Sequence, residues 1–99
     1  MVNKEEILSF LQEKKVDFFS DYQLVKLGLF GSYATGNAKP NSDIDIIVEF
    51  KPHTEDLFEK KSNLKSVLRD KFKLEIDVCT EKYIKPYFKT QILETVIYV

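Results

Sequence analysis

Asp43-Ile44-Asp45-Ile46-Ile47-Val48-Glu49-Phe50 sets carboxylates against aliphatic side chains with a period of two, the pattern of a β-strand whose two faces differ. Ile44, Ile46, Val48 and Phe50 then share one face, and Asp43 and Asp45 share the other. Like charges at neighbouring positions of a strand repel unless a cation lies between them. Magnesium suits such a place, because it takes oxygen ligands from one or two carboxylates and completes its shell with phosphates and water. The segment Leu74-Glu75-Ile76-Asp77-Val78-Cys79 repeats the device, with Leu74, Ile76 and Val78 toward a core and Asp77 alongside Glu75 and Cys79. If the two strands are neighbours, Asp77 completes a carboxylate triad.

Upstream, Leu24-Val25-Lys26-Leu27-Gly28-Leu29-Phe30 reads as a strand that ends in the turn Gly31-Ser32. The residues that follow can start a helical turn, which would present backbone N–H groups to an anion; Gly31 allows close approach and the Ser32 hydroxyl can donate to a phosphate. Gly36, Asn37, Pro40 and Asn41 form a loop back to Asp43, and so short a connection favours an antiparallel pair over a crossover.

The flanks are helical. Asn3 caps a first helix, with Glu6 three residues on and Ile7, Phe10 and Leu11 at helical spacing, running to about Lys14. Lys15 to Asp21 is a second short helix of ambiguous period. Thr54 is the expected cap of a long helix ending near Lys71, with Leu57, Leu64 and Leu68 on one face and Phe58 and Val67 beside them. Pro86 opens a last helix, and Val96-Ile97-Tyr98-Val99 reads as a strand or core plug. The expectation is one α/β (α+β) domain over residues 1–99, a mixed sheet of three to four strands flanked by helices.

Composition narrows the function. The 99 residues are 43% hydrophobic and 31% charged, and 15 basic against 16 acidic residues leave a net charge of -1. No basic field exists to hold a long nucleic acid, so direct nucleic-acid binding is not expected. Cys79 is the one cysteine, which excludes an intramolecular disulfide, fits a reducing cytoplasm and reads as a small core residue. The N-terminal residues lack the apolar run of a signal peptide, and no stretch is long and apolar enough for a membrane span, so a soluble cytoplasmic protein is expected. His53 reads as a solvated loop residue and the runs Lys60-Lys61 and Lys71-Phe72-Lys73 as solvated faces; the tyrosines read as core or edge packing ahead of base stacking, with Tyr33, next to Ser32, the one to examine for a stacking role.

Gly31-Ser32, ten intervening residues and Asp43-x-Asp45 together resemble the signature of the polymerase β-like nucleotidyltransferases, in particular their minimal branch. The resemblance takes in Leu29-Phe30-Gly31-Ser32-Tyr33-Ala34, Ser42-Asp43-Ile44-Asp45 and the closing Val96-Ile97-Tyr98-Val99. It implies that Asp43 and Asp45 bind two Mg2+ ions, and that Asp77 binds one of them and helps to deprotonate an acceptor hydroxyl. ATP is the implied substrate, with Gly31 and Ser32 at its phosphates. Ser42 is grouped with them as nucleotide-binding, its favoured role being to fix the loop before Asp43. Thr35 departs from the pattern, since many relatives carry Arg there; that puts nucleotide affinity or turn stability at stake rather than the chemistry. The branch is typically paired with a HEPN ribonuclease toxin, which implies an antitoxin that transfers AMP to a tyrosine of that partner. The alternatives are a free-standing enzyme acting on a small molecule and a catalytically silent antitoxin acting by binding alone.

Overall fold

The side chain of Asn3 accepts the Glu6 N–H at 2.9 Å and so caps helix α1, Lys4–Glu13. The computed structural model, which describes residues 2–99, continues directly into α2, Lys15–Asp21. The segment of ambiguous period is thus helical, anchored by Phe18 in the core while Val16 faces solvent. Then follow β1, Leu24–Phe30; the single turn α3, Gly31–Thr35; β2, Ile44–Phe50; α4, Leu57–Phe72; β3, Ile76–Thr80; a 3-10 turn, Glu81–Tyr83; α5, Pro86–Thr95; and β4, Ile97–Tyr98.

The four strands lie in the order β3-β2-β1-β4. β1 and β2 pair antiparallel across the short connection, as its length implies, and β4 adds antiparallel to the far side of β1. β2 and β3 run parallel, which requires a crossover, and α4 supplies it. The sheet is mixed. Its inner face contributes Leu27, Leu29, Ile44, Ile46, Val48 and Ile76 to one core with Ile7, Leu11, Phe18, Leu64, Leu68 and Phe72 from the helices. Each such side chain, fully buried, contributes roughly 1.5–3 kcal/mol from apolar transfer. Phe10 packs edge-on to Phe72 with ring centroids 5.5 Å apart, and Lys71 lies over the outer side of Phe10.

Three expectations need correction. Helix α4 begins at Leu57 rather than at a Thr54 cap, because the Thr54 hydroxyl is already committed to the Lys51 carbonyl at 2.6 Å, closing the turn after β2. Phe58, expected beside the apolar stripe, is 83% exposed. Within Lys71-Phe72-Lys73, Phe72 is a core residue, and only its lysine neighbours face solvent. Among the described residues no helix is long and apolar enough to cross a membrane.

Candidate active site

The register of the sheet gathers the chemistry on one level. Phe30, the last residue of β1, stands opposite Asp45 of β2, and Asp45 stands opposite Asp77 of β3. The parallel pairing therefore makes the two Asp residues direct cross-strand neighbours, and alternation puts both on the face away from the helical core. Asp43 precedes β2 by one residue, so the strand begins one position later than the sequence pattern suggested. Its charge still acts on Asp45.

At the end of β1 the chain turns at Gly31, whose φ is +74°. A methyl group there would come within 2.9 Å of the Asp45 carboxyl carbon and collide with a carboxylate oxygen, so glycine is required both by the backbone and by the neighbouring side chain. The Gly-Ser turn and the carboxylates consequently touch. α3 then tightens on itself. The Thr35 hydroxyl reaches the Gly31 and Ser32 carbonyls, each at 3.3 Å, and accepts from the Asn37 amide at 3.2 Å. The backbone N–H of Asn37 donates to the Ser32 carbonyl at 2.9 Å. Thr35 thus ties its hydroxyl to the carbonyls of its own turn. Ser42 clasps the loop: its hydroxyl accepts the Lys39 N–H at 2.8 Å, and its own N–H donates to the Lys39 carbonyl at 2.9 Å.

Asp45 is the electrostatic centre. Burial, then the charges of Asp77 and Asp43, and a hydrogen bond shared with Asp77 push its carboxyl up to about 6. The protonated Asp45 donates to the Asp77 carboxylate; with both ionised, the two repel. Cys79 follows on the same face of β3 and is only half-buried, so it is not the small core residue its apolar surroundings suggested. Burial and the two carboxylates raise its thiol, with Lys61 opposing them.

Tyr33 takes the core packing favoured for its residue type. Its ring is 2% exposed, packed in the core, and cannot stack on a base. Its hydroxyl is buried without a hydrogen-bond partner among the described residues.

With this geometry in view, comparison with known proteins is decisive. The nucleotidyltransferase domain model matches residues 5–99. The chain belongs to the nucleotidyltransferase domain family. A candidate protein adenylyltransferase of Methanocaldococcus jannaschii is 37% identical over 100% of both chains. The protein adenylyltransferase MntA of Thermococcus cleftensis is 32% identical over 100% of this chain and 98% of its own. Among solved structures, a candidate minimal nucleotidyltransferase superposes with a TM-score of 0.78 at 24% identity, covering 97% of this chain and 95% of that one. A toxin–antitoxin complex with AMP-PNP gives a TM-score of 0.67 at 23% identity, covering 87% of this chain and 69% of that one. These likenesses establish the minimal nucleotidyltransferase fold. As a member of the family the chain is a nucleotidyltransferase.

Thr35 bears on the turn whose stability its departure from the pattern put at stake, and its i to i−3 and i−4 spacing could have signalled the bonds it makes. Phe58, Lys61 and Lys65 recur on one side of α4 beside Asp77; their spacing was visible in the sequence, but the strand they lie against was not.

Proposed function

We propose that this nucleotidyltransferase is a protein adenylyltransferase of 99 residues in one domain, acting as the antitoxin of a helical HEPN ribonuclease toxin by transferring AMP from ATP to a tyrosine of that toxin. The observation that carries the reading is the placement of Asp45 directly opposite Asp77, with Gly31 against Asp45. The names of the relatives, which include protein adenylyltransferases and a toxin–antitoxin complex with a nucleotide analogue, support the substrate classes.

The donor set fits magnesium. Among the described residues no three His, Cys, Asp or Glu side chains form a ready-made metal cage, but this ion needs only one or two carboxylates when phosphates supply the rest of its shell. Asp43 and Asp45 would hold two such ions, with Asp77 at one of them; burial and then the charges of Asp77 and Asp43 push the Asp45 carboxyl up to about 6, and a cation would offset the two charges. When bound, such ions neutralise the charge that develops on attacking and leaving oxygens.

The rest falls to the chain's own groups. Ser32 and the amides of α3 take the triphosphate. Gly31 lets it approach the carboxylates. Asp77 faces the acceptor hydroxyl and accepts its proton, while the hydroxyl oxygen forms a bond to the α-phosphorus. The α–β bridging P–O bond breaks in line, and pyrophosphate leaves with the electron pair. AMP remains on the acceptor as a phosphodiester. Cys79 as the lone cysteine suits the reducing cytoplasm in which a ribonuclease toxin would have to be silenced.

The test is to mix the protein with ATP, magnesium and a candidate helical HEPN toxin, and to map the adduct by mass spectrometry. AMP on a toxin tyrosine with wild type and none with Asp43→Ala/Asp45→Ala supports the reading. Undiminished neutralisation by the double variant with no adduct refutes it and leaves silencing by binding alone.

A further inference from the structure

β3 is an edge strand of the sheet. Its ladder to β2 begins with the Ile44 N–H donating to the Glu75 carbonyl at 2.9 Å. In a parallel ladder the backbone groups of alternate residues then face the partner, so those of Asp77 and Cys79 point to β2 and those of Ile76, Val78 and Thr80 point outward. Along this free edge runs a groove of about 250 Å³ between β3 and α4. Asp77, Val78 and Cys79 form one wall; Phe58, Lys61 and Lys65 form the other. The three α4 residues are separated by three and then four positions, which places them on one stripe of the helix.

The charges in the groove are uneven. Neither Lys61 nor Lys65 is in an ion pair among the described residues, where the ion pairs belong to Lys26 and Arg69. Both lysines are half-buried and line the groove, the arrangement in which a stem lies on protein and its charged head stays in water at the rim. Lys61 stands close enough to act on the Cys79 thiol. Phe58, 83% exposed, closes the end of the groove with an apolar ring.

We infer that this groove seats the protein acceptor as an extended, acidic segment, which adds to the free edge of β3 through its backbone and places its hydroxyl-bearing residue at Asp77. The inference rests on the reading of the protein as a protein nucleotidyltransferase and adds to it where the acceptor lies and what sequence it carries. Backbone pairing at Val78 gives register without demanding a particular sequence. Lys61 and Lys65 select acidic residues flanking the acceptor, and Phe58 covers an aromatic or aliphatic neighbour. The choice of a polypeptide over the nucleotide follows from the open edge, because a second strand pairs the alternating outward N–H and C=O groups in full, whereas a nucleotide's phosphates would use the N–H groups alone.

The test has two arms. In the first, a fluorescent extended peptide with a tyrosine flanked by glutamates is titrated against the full chain with no nucleotide, beside the same peptide with lysines in place of glutamates. The acidic peptide should bind more tightly, with an affinity that falls as salt rises, and Lys61→Glu/Lys65→Glu should weaken it by about tenfold or more, since two rim charges are reversed. Lys61→Gln/Lys65→Gln should give a smaller loss in the same direction. Equal binding of the two peptides, or an unchanged affinity in both variants with thermal unfolding like wild type, overturns the inference. In the second arm, AMP-PNP affinity is measured in magnesium. It should not move in either variant; a parallel loss of nucleotide binding assigns the lysines to the triphosphate and overturns the acceptor assignment. If wild type binds the acidic peptide selectively but transfers no AMP to any protein, the groove stands and the catalytic reading fails.

Discussion

Replacing Asp45 by Asn should make the protein more stable while abolishing transfer. In the fold its carboxyl is raised from 3.8 to about 6, burial leading and Asp77 and Asp43 adding to it. About two units at ~1.4 kcal/mol each would be ~3 kcal/mol for a sealed site, and solvent at this half-buried carboxyl reduces the cost to ~1 kcal/mol. The sign follows from the direction of the shift. A carboxyl that holds its proton more tightly in the folded state burdens the fold fully above pH ~6, less as pH falls through that value, and not at all below its ordinary range. Asparagine carries no charge at any pH, and its amide can still donate to Asp77. Thermal unfolding with a chelator present should therefore show Asp45→Asn above wild type by about 5 °C near pH 8, given ~1 kcal/mol in a domain of this size. The gap should narrow to about a third near pH 4.5 and close below about pH 3.5. Magnesium should raise the wild-type midpoint at pH 8 and leave the variant's unchanged. A variant less stable than wild type at pH 8, or one shifted equally at both pH values, would refute the electrostatic account of this site.

Gly31→Ala should lose nucleotide binding and roughly 1–2 kcal/mol of stability, because the new methyl meets the Asp45 carboxylate and the backbone is left-handed there; calorimetric titration with AMP-PNP and urea unfolding check the two effects. Gly28→Val should push β4 off the sheet, since even a Cβ at Gly28 would lie 2.9 Å from Tyr98 and 3.0 Å from the Ile97 carbonyl; hydrogen exchange at Val99, whose N–H donates to the Leu27 carbonyl at 2.9 Å, should accelerate. Leu68→Ala, at a fully buried position, should cost about 2–5 kcal/mol by urea unfolding. Cys79 should alkylate more slowly than a free thiol near pH 8, and Asp77→Asn should speed it by a few-fold, because burial and then the Asp77 charge hold the thiol proton.

The strands that carry the site were readable because each is governed by a local rule. Alternation in Asp43 to Phe50 fixed which face the carboxylates share, and the apolar run from Leu24 into Gly31-Ser32 marked the turn beside them. The crossing from Asp45 to Asp77 was not local: it depends on parallel pairing across α4, which no period in the sequence reports. The start of α4 was misplaced for a related reason. Thr54 has the chemistry of a cap, but its hydroxyl has two possible backbone partners, and the turn at Lys51 takes it. For Tyr33 the packing tendency of the residue type outweighed its position beside the turn. Adjacent to Ser32 in sequence, it points the opposite way in a single helical turn and ends in the core. Thr35, noted in the sequence as a departure from the pattern, hydrogen-bonds within the turn.

The central claim is nucleotidyl transfer at the Gly31-Ser32 turn and the three aspartates, and following the two ends of ATP tests it most directly. Parallel reactions with magnesium and the acceptor protein should contain ATP labelled at the α-phosphate or at the γ-phosphate. The account predicts that the α-label alone becomes fixed to protein, that the γ-label leaves as pyrophosphate, and that neither is fixed by Asp43→Ala/Asp45→Ala. Transfer of the γ-label to protein, or α-label fixed equally by the double variant, would contradict it.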